Sequence, residues 1–172
     1  MGAIDERLNQ LGIELPAAPA PAANYVPTVR TGNLVFIAGQ VCFGPDGKLA
    51  DRHKGKLGGE VSDEAGKEAA RICAINVIAQ LQTAVGDLDK VTRCVRLGGF
   101  INTRPDYAAI PAIMNGASDL MVEIFGEAGR HARSTVGVAE LPFDCAVEVQ
   151  AIFEVQYHRI LRVRSHRTML SL

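Results

Sequence analysis

The chain has 172 residues, 48% of them hydrophobic and 22% charged, a balance that suits one globular domain with a real core. Eighteen basic against nineteen acidic residues leave a formal charge of −1, so overall charge gives no argument for nucleic acid or a membrane surface. No apolar run is long enough to cross a bilayer and no basic-then-apolar signal opens the chain, which points to the cytosol.

Ile4 to Leu11 reads as a short amphipathic helix ended by Gly12, and Leu15 to Ala23 alternates Pro and Ala as an extended surface arm. Tyr25 to Arg30 and Leu34 to Val41 read as a hairpin around Thr31-Gly32-Asn33. Leu34 to Ala38 is apolar without alternation, which predicts cover on both faces of that strand. Gly39 is a place where a backbone can approach closely. Lys48 to Glu60 is polar and reads as a mobile loop with a solvated His53. Ser62 to Val85 is the strongest helix, with Gly86 at its end. Val91 to Ile101 is the next strand, with Val91, Arg93, Val95 and Leu97 on one face and Thr92, Cys94 and Arg96 on the other. Pro105 to Phe125 reads as a helix broken near Asn115-Gly116, with Ser118 capping its second piece. Two strands from Arg133 to Phe153 flank a Pro-containing turn, and the residues from Tyr157 to Leu172 form a basic tail.

This order predicts an α/β (α+β) layer arrangement, a mixed sheet with two main helices on one face. The doubly apolar hairpin strand then asks for a second copy of the chain over the other face, hence a homo-oligomer. Three segments follow: residues 1–23, a helix and arm; 24–157, the folded domain; and 158–172, the tail.

The four cysteines, Cys42, Cys73, Cys94 and Cys145, form no Cys-x-x-Cys pair and each lies in an apolar segment, the pattern of buried free thiols. The four histidines, His53, His131, His158 and His166, have no metal-ligand spacing. Chemistry concentrates in the last two strands. Arg133 opens the first, and Glu148 and Gln150 point away from the apolar side of the second. An arginine fork binds a carboxylate through two parallel hydrogen bonds, and a nearby glutamate can hold a water and move a proton. The pair equally suits an intersubunit salt bridge, and residue types alone leave both readings open. Ser134 beside His131 and Asp144 lacks a nucleophile elbow and reads as a strand hydroxyl. His131 reads as a loop residue at the rim of the cleft.

The run Arg133-Ser134-Thr135-Val136-Gly137-Val138-Ala139-Glu140-Leu141-Pro142, with Glu148 beyond it, resembles the C-terminal signature of the YjgF/YER057c/UK114 family, the RidA or reactive intermediate deaminase proteins also labelled endoribonuclease L-PSP. Tyr25, the Gly32-Asn33 turn and Ala38-Gly39-Gln40 are similar to that family's N-terminal hairpin. The resemblance implies a chorismate-mutase-like fold and a homotrimer with clefts between subunits. It implies hydrolysis of enamines and imines such as 2-aminoacrylate to 2-keto acids and ammonia, with no metal or cofactor. It makes Arg133 the carboxylate clamp and Glu148 the group that orients water or assists proton transfer. Tyr25 and Gly39 would line the cleft. Thr135 stands where many members carry Cys, which excludes thiol chemistry there and leaves its backbone groups for the site. A non-catalytic trimer that binds a 2-keto acid is the alternative. An endoribonuclease ranks last, because no basic aromatic platform accompanies the neutral charge.

Overall fold

The computed structural model describes residues 2–18 and 24–156. Its main elements are α1 (Ala3–Gln10), β1 (Thr28–Thr31), β2 (Leu34–Val41), α2 (Asp63–Val85), β3 (Val91–Asn102), α3 (Ile110–Phe125), β4 (Ala132–Val138) and β5 (Val147–Val155). The strands form one sheet in the order β1-β2-β5-β3-β4, antiparallel except where β3 runs parallel to β4. Helices α2 and α3 pack side by side on one face, so the expected mixed sheet with one helical layer is present. The basic tail and residues 19–23 of the arm lie outside the described residues.

Helix α2 supplies most of the core. The Ser62 hydroxyl accepts from the Ala65 amide at 3.2 Å to start it, and Gly86 ends it in the left-handed region at φ 74°. Its inner side is small: Ala69, Ala70, Cys73 and Ala74 are wholly buried, so the helix lies close to the sheet. Asn76 is also buried and donates to the carbonyls of Val41 and Phe43, both at 3.0 Å, which ties the helix to the end of β2. Helix α1 is docked as well. The amides of Ala3 and Ile4 each donate to the Asp89 carboxylate at 2.8 Å, which lowers the Asp89 pKa, and Arg7 reaches the Glu123 carbonyl at 2.7 Å.

Three expectations change. The helix expected to break at Asn115-Gly116 is continuous from Ile110 to Phe125, with Pro111 in the first turn where its missing N–H costs nothing. Gly116 is there for packing: a Cβ on it would run into the Lys67 carbonyl oxygen of α2. The loop from Lys48 to Glu60 is packed, not mobile and solvated. His53 is 1% exposed, Leu57 is fully buried, and the Leu57 amide donates to the Asn102 carbonyl at 2.8 Å. These two side chains close one end of the core, which the polar composition around them hides. The His53 ring brings Nε2 to 3.3 Å from Glu68 Oε2 without hydrogen-bond alignment.

In β3 the pairing with β5 shifts between Cys94 and Arg96, so Val95 is an extra residue. Cys94 and Leu97 therefore both face the helices, and Arg96 faces away. Strand β2 is covered on one side within the chain, which leaves open the face for which a second copy is expected. Val35 and Ile37 are buried under α2, while Phe36 is 39% exposed on the opposite face, beside Val29.

The Gly116 contact predicts an inverted substitution effect. On an open helix face Gly→Ala stabilises by about 1 kcal/mol. Here the added methyl must displace backbone, so Gly116→Ala should destabilise by about 1–3 kcal/mol in a denaturant titration. A stabilised variant would contradict the close α2–α3 approach.

Candidate active site

The open face of the sheet is built in rows by the strand register. Val29, Phe36, Ile152 and Arg96 form one row, and Val41, Glu148, Phe100 and Val136 another. Between them β2 carries its own bulge: its register against β5 shifts between Ile37 and Gln40, so Ala38 and Gly39 stand opposite Gln150. Gln40 holds that bulge by donating from Nε2 to the Ala38 and Gly39 carbonyls, both at 3.1 Å. Gly39 has no side chain because the Glu148 carboxylate occupies that space. Gly98 serves Gln150 the same way, since a Cβ there would lie 2.9 Å from Gln150 Cγ. A cavity of about 290 Å³ opens on this face, lined among others by Val26, Phe36, Ala38, Arg96 and Gln150.

Glu148 is half-buried against this apolar surface, and burial raises its carboxyl above the ordinary glutamate range. A carboxyl that holds its proton to higher pH than usual suits a group that takes up and returns a proton. Arg96 on the same face donates from Nη2 to the Ser134 hydroxyl at 2.7 Å, so Ser134 is the bonded strand hydroxyl expected of it. Tyr25 is 52% exposed just before β1. The Ala38 amide donates to the Pro27 carbonyl at 2.9 Å, so the segment carrying Tyr25 runs on beside the Gly39 bulge.

Arg133 lies elsewhere. It pairs with Leu97 on the parallel edge strand β4 and so points to the helix side. There Nη1 donates to Asn115 Oδ1 at 2.9 Å and to Ser118 Oγ at 3.1 Å, and Nη2 donates to the Pro111 carbonyl at 3.3 Å. Arg133 and Glu148 therefore occupy opposite faces. Within one chain the two side chains do not share a site. Two strand spacings and three residues along the strand separate their Cα atoms by about 14 Å. Thr135, paired with Gly99, shares the Arg133 side, and its Oγ1 is buried without a hydrogen-bond partner among the described residues.

The partners of Arg133 are the residues that sequence reasoning takes for a helix break and a cap. Pro111, Asn115 and Ser118 follow the spacing of a single helix face, and that signal emerges once Pro111 is put in the first turn. His131 is more than a rim residue: its Nε2 lies 3.0 Å from Ser118 Oγ and its Nδ1 lies 2.7 Å from the Gly129 carbonyl. Desolvation lowers its pKa.

The four cysteines are buried and free. Cys73 and Cys145 both donate to the Val147 carbonyl, at 3.2 and 3.5 Å, as core residues. Among the described residues no group of three or more His, Cys, Asp or Glu side chains is placed to hold a metal. None of the described helices is long and apolar enough to cross a membrane.

Residues 5–154 match the sequence family described as "YjgF/chorismate_mutase-like, putative endoribonuclease", a span that takes in α1 as well as the sheet. The chain is 46% identical to Protein TCP17 of Trypanosoma cruzi, over 90% of this chain and 95% of that protein. It is 31% identical to 2-iminobutanoate/2-iminopropanoate deaminase of Dermatophagoides farinae, over 84% of this chain and 95% of the relative. Among solved structures, the Agrobacterium tumefaciens protein Atu1372, of unknown function, superposes with a TM-score of 0.82 at 42% identity, covering 89% of this chain and 92% of its own. Escherichia coli TdcF with bound serine gives a TM-score of 0.58 at 28% identity, covering 83% and 96%. Signature, sheet topology and relatives agree: the chain belongs to the YjgF/RidA family and has its chorismate-mutase-like fold.

Proposed function

We propose that this protein hydrolyses reactive enamines and imines of the 2-aminoacrylate type to 2-keto acids and ammonia, in clefts between copies of the chain. The observation that carries the reading is Arg133, an exposed guanidinium on an edge strand, anchored from behind with donors to spare. An arginine held this way is a preorganised seat for a small carboxylate. The name of the mite relative and the serine bound to TdcF, itself a small amino acid, support that ligand class.

The reaction asks little of the protein. The enamine takes a proton at its terminal carbon and gives one up from nitrogen, which makes it the imine. Water then adds across the C=N bond, and the carbinolamine expels ammonia as the carbonyl forms. Arg133 holds the carboxylate. Glu148 takes a proton from the attacking water and returns it to the leaving nitrogen. The Thr135 backbone borders the clamp. The Gly39 backbone and Tyr25 line the wall beside Glu148.

Because Arg133 and Glu148 face opposite ways in one chain, a complete site needs Arg133 from one copy and the Glu148 face from another. The exposed apolar side chains of that face, Val29, Phe36 and Val136, suit a subunit contact. A closed homotrimer repeats the same heterologous contact three times and makes three such clefts.

Arg133→Ala should lower kcat/KM for freshly generated 2-aminoacrylate by about 10²-fold, the loss of a charge-assisted bidentate contact. Undiminished turnover would remove Arg133 from the site. A wild type that binds a 2-keto acid yet turns over no imine would make the protein a binding protein instead. Glu148 makes a second prediction. Its raised pKa means that the folded chain binds a proton that the unfolded chain releases, so its carboxyl favours folding below about pH 4.3 and loses that contribution as pH rises through the folded value. Glu148→Gln should therefore match wild-type stability at pH 4 and exceed it at neutral pH in denaturant titrations. A pH-independent difference would contradict the buried carboxyl.

A further inference from the structure

The anchor behind Arg133 has a second layer: His131 lies against Ser118, 3.0 Å from its hydroxyl. We propose that Ser118 and His131 are positioning residues that set the orientation of the Arg133 guanidinium, leaving one edge of it for the substrate carboxylate. The identification of that ligand rests on the proposed function; the positioning itself does not.

Gly129 fixes the tautomer of His131. Its carbonyl can only accept, so the 2.7 Å contact requires the proton of His131 on Nδ1. Burial favours the neutral ring, which leaves Nε2 as an acceptor. Across 3.0 Å the Ser118 hydroxyl must then be the donor, and its one hydrogen is committed to His131. The Ser118 oxygen is left with its lone pairs, one of which receives Arg133 Nη1–H at 3.1 Å. His131 thus decides which way the serine points, and the serine acts on the arginine. An unsupported hydroxyl can rotate its hydrogen toward the guanidinium and lose that contact.

The consequence for binding is geometric. Asn115 and Ser118 take both Nη1 hydrogens, and Pro111 takes one from Nη2. A carboxylate that grips two nitrogens can then use only the Nε–Nη2 edge, whose Nε–H has no partner among the described residues. The support therefore fixes both the place of the carboxylate and the direction in which the rest of the substrate extends.

The test uses the intact oligomer. Long-range ¹H–¹⁵N NMR should find His131 neutral with Nδ1 protonated at neutral pH. In wild type the Arg133 guanidinium should rotate slowly about its Nε–Cζ bond. Ser118→Ala should free that rotation, raise the Kd for 2-oxobutanoate and the KM for the imine about tenfold, and leave kcat within about twofold. Ser118→Thr should restore slow rotation and affinity, and His131→Phe should behave like Ser118→Ala. If wild type binds no keto acid but still holds its guanidinium until Ser118 is removed, the positioning stands and the substrate reading falls. A His131 ring protonated on Nε2 would overturn the positioning. So would rotation and affinity unchanged in folded Ser118→Ala and His131→Phe.

Discussion

The structure depends on the register of β5. This strand lies between β2 and β3, and its alternation sends Val147, Val149, Ala151 and Phe153 into the helical layer with at most 3% exposure. The strand cannot slip by one residue without burying Glu148 and Gln150 in that core. Burying a charge without a partner costs far more than any slipped pairing could offset. Both neighbouring strands accommodate this register with an extra residue, at Ala38-Gly39 in β2 and at Val95 in β3, where Thr92 is a further one. The first bulge removes the side chain that would collide with Glu148. The second lets Cys94 and Leu97 both enter the core while Arg96 reaches the open face. A fixed central strand with adjustable neighbours thus prepares one polar face.

Much of this can be read from residues alone, for physical reasons that differ by element. The α2 pattern is strong because a long helix repeats its apolar spacing several times and carries its own cap and stop. The β5 alternation is plain because one face meets the core and the other does not. Bulges are silent in a sequence, since one extra residue looks like any other, and strict alternation misassigns the faces of β3 for that reason. Gly116 misleads because a glycine that ends a helix and one that lets two helices touch are the same residue. His53 and Leu57 escape notice because their neighbours are charged. The two faces of Arg133 and Glu148 are beyond reach without knowing that β3 and β4 run parallel.

Splitting the charged residues across the sheet has a rationale in solvation. A carboxylate and a guanidinium on one face of a single chain would pair and leave nothing for a ligand. Here Glu148 is raised in pKa by an apolar wall, and Arg133 is occupied only by neutral partners, Asn115, Ser118 and Pro111. Among the described residues neither charge meets an opposite one. In the proposed assembly a second chain's Arg133 would reach the first chain's Glu148 face already anchored by neutral partners, and the raised pKa of Glu148 would weaken its claim on that guanidinium relative to a substrate carboxylate. In that assembly the apolar side chains of the open face would serve both subunit contact and desolvation of the site.

The central claim is that one chain supplies Arg133 and another supplies Glu148. Subunit mixing tests it directly. Arg133→Ala and Glu148→Gln proteins, each expected to lose most of its activity alone, are unfolded together in equal amounts, refolded and assayed for ammonia release from 2-aminoacrylate. If each cleft takes its two residues from different chains, random assembly gives one cleft in four with both wild-type side chains, so activity should return to about a quarter of the wild-type value. Mixed oligomers that stay inactive would contradict a shared site and return Arg133 and Glu148 to separate roles.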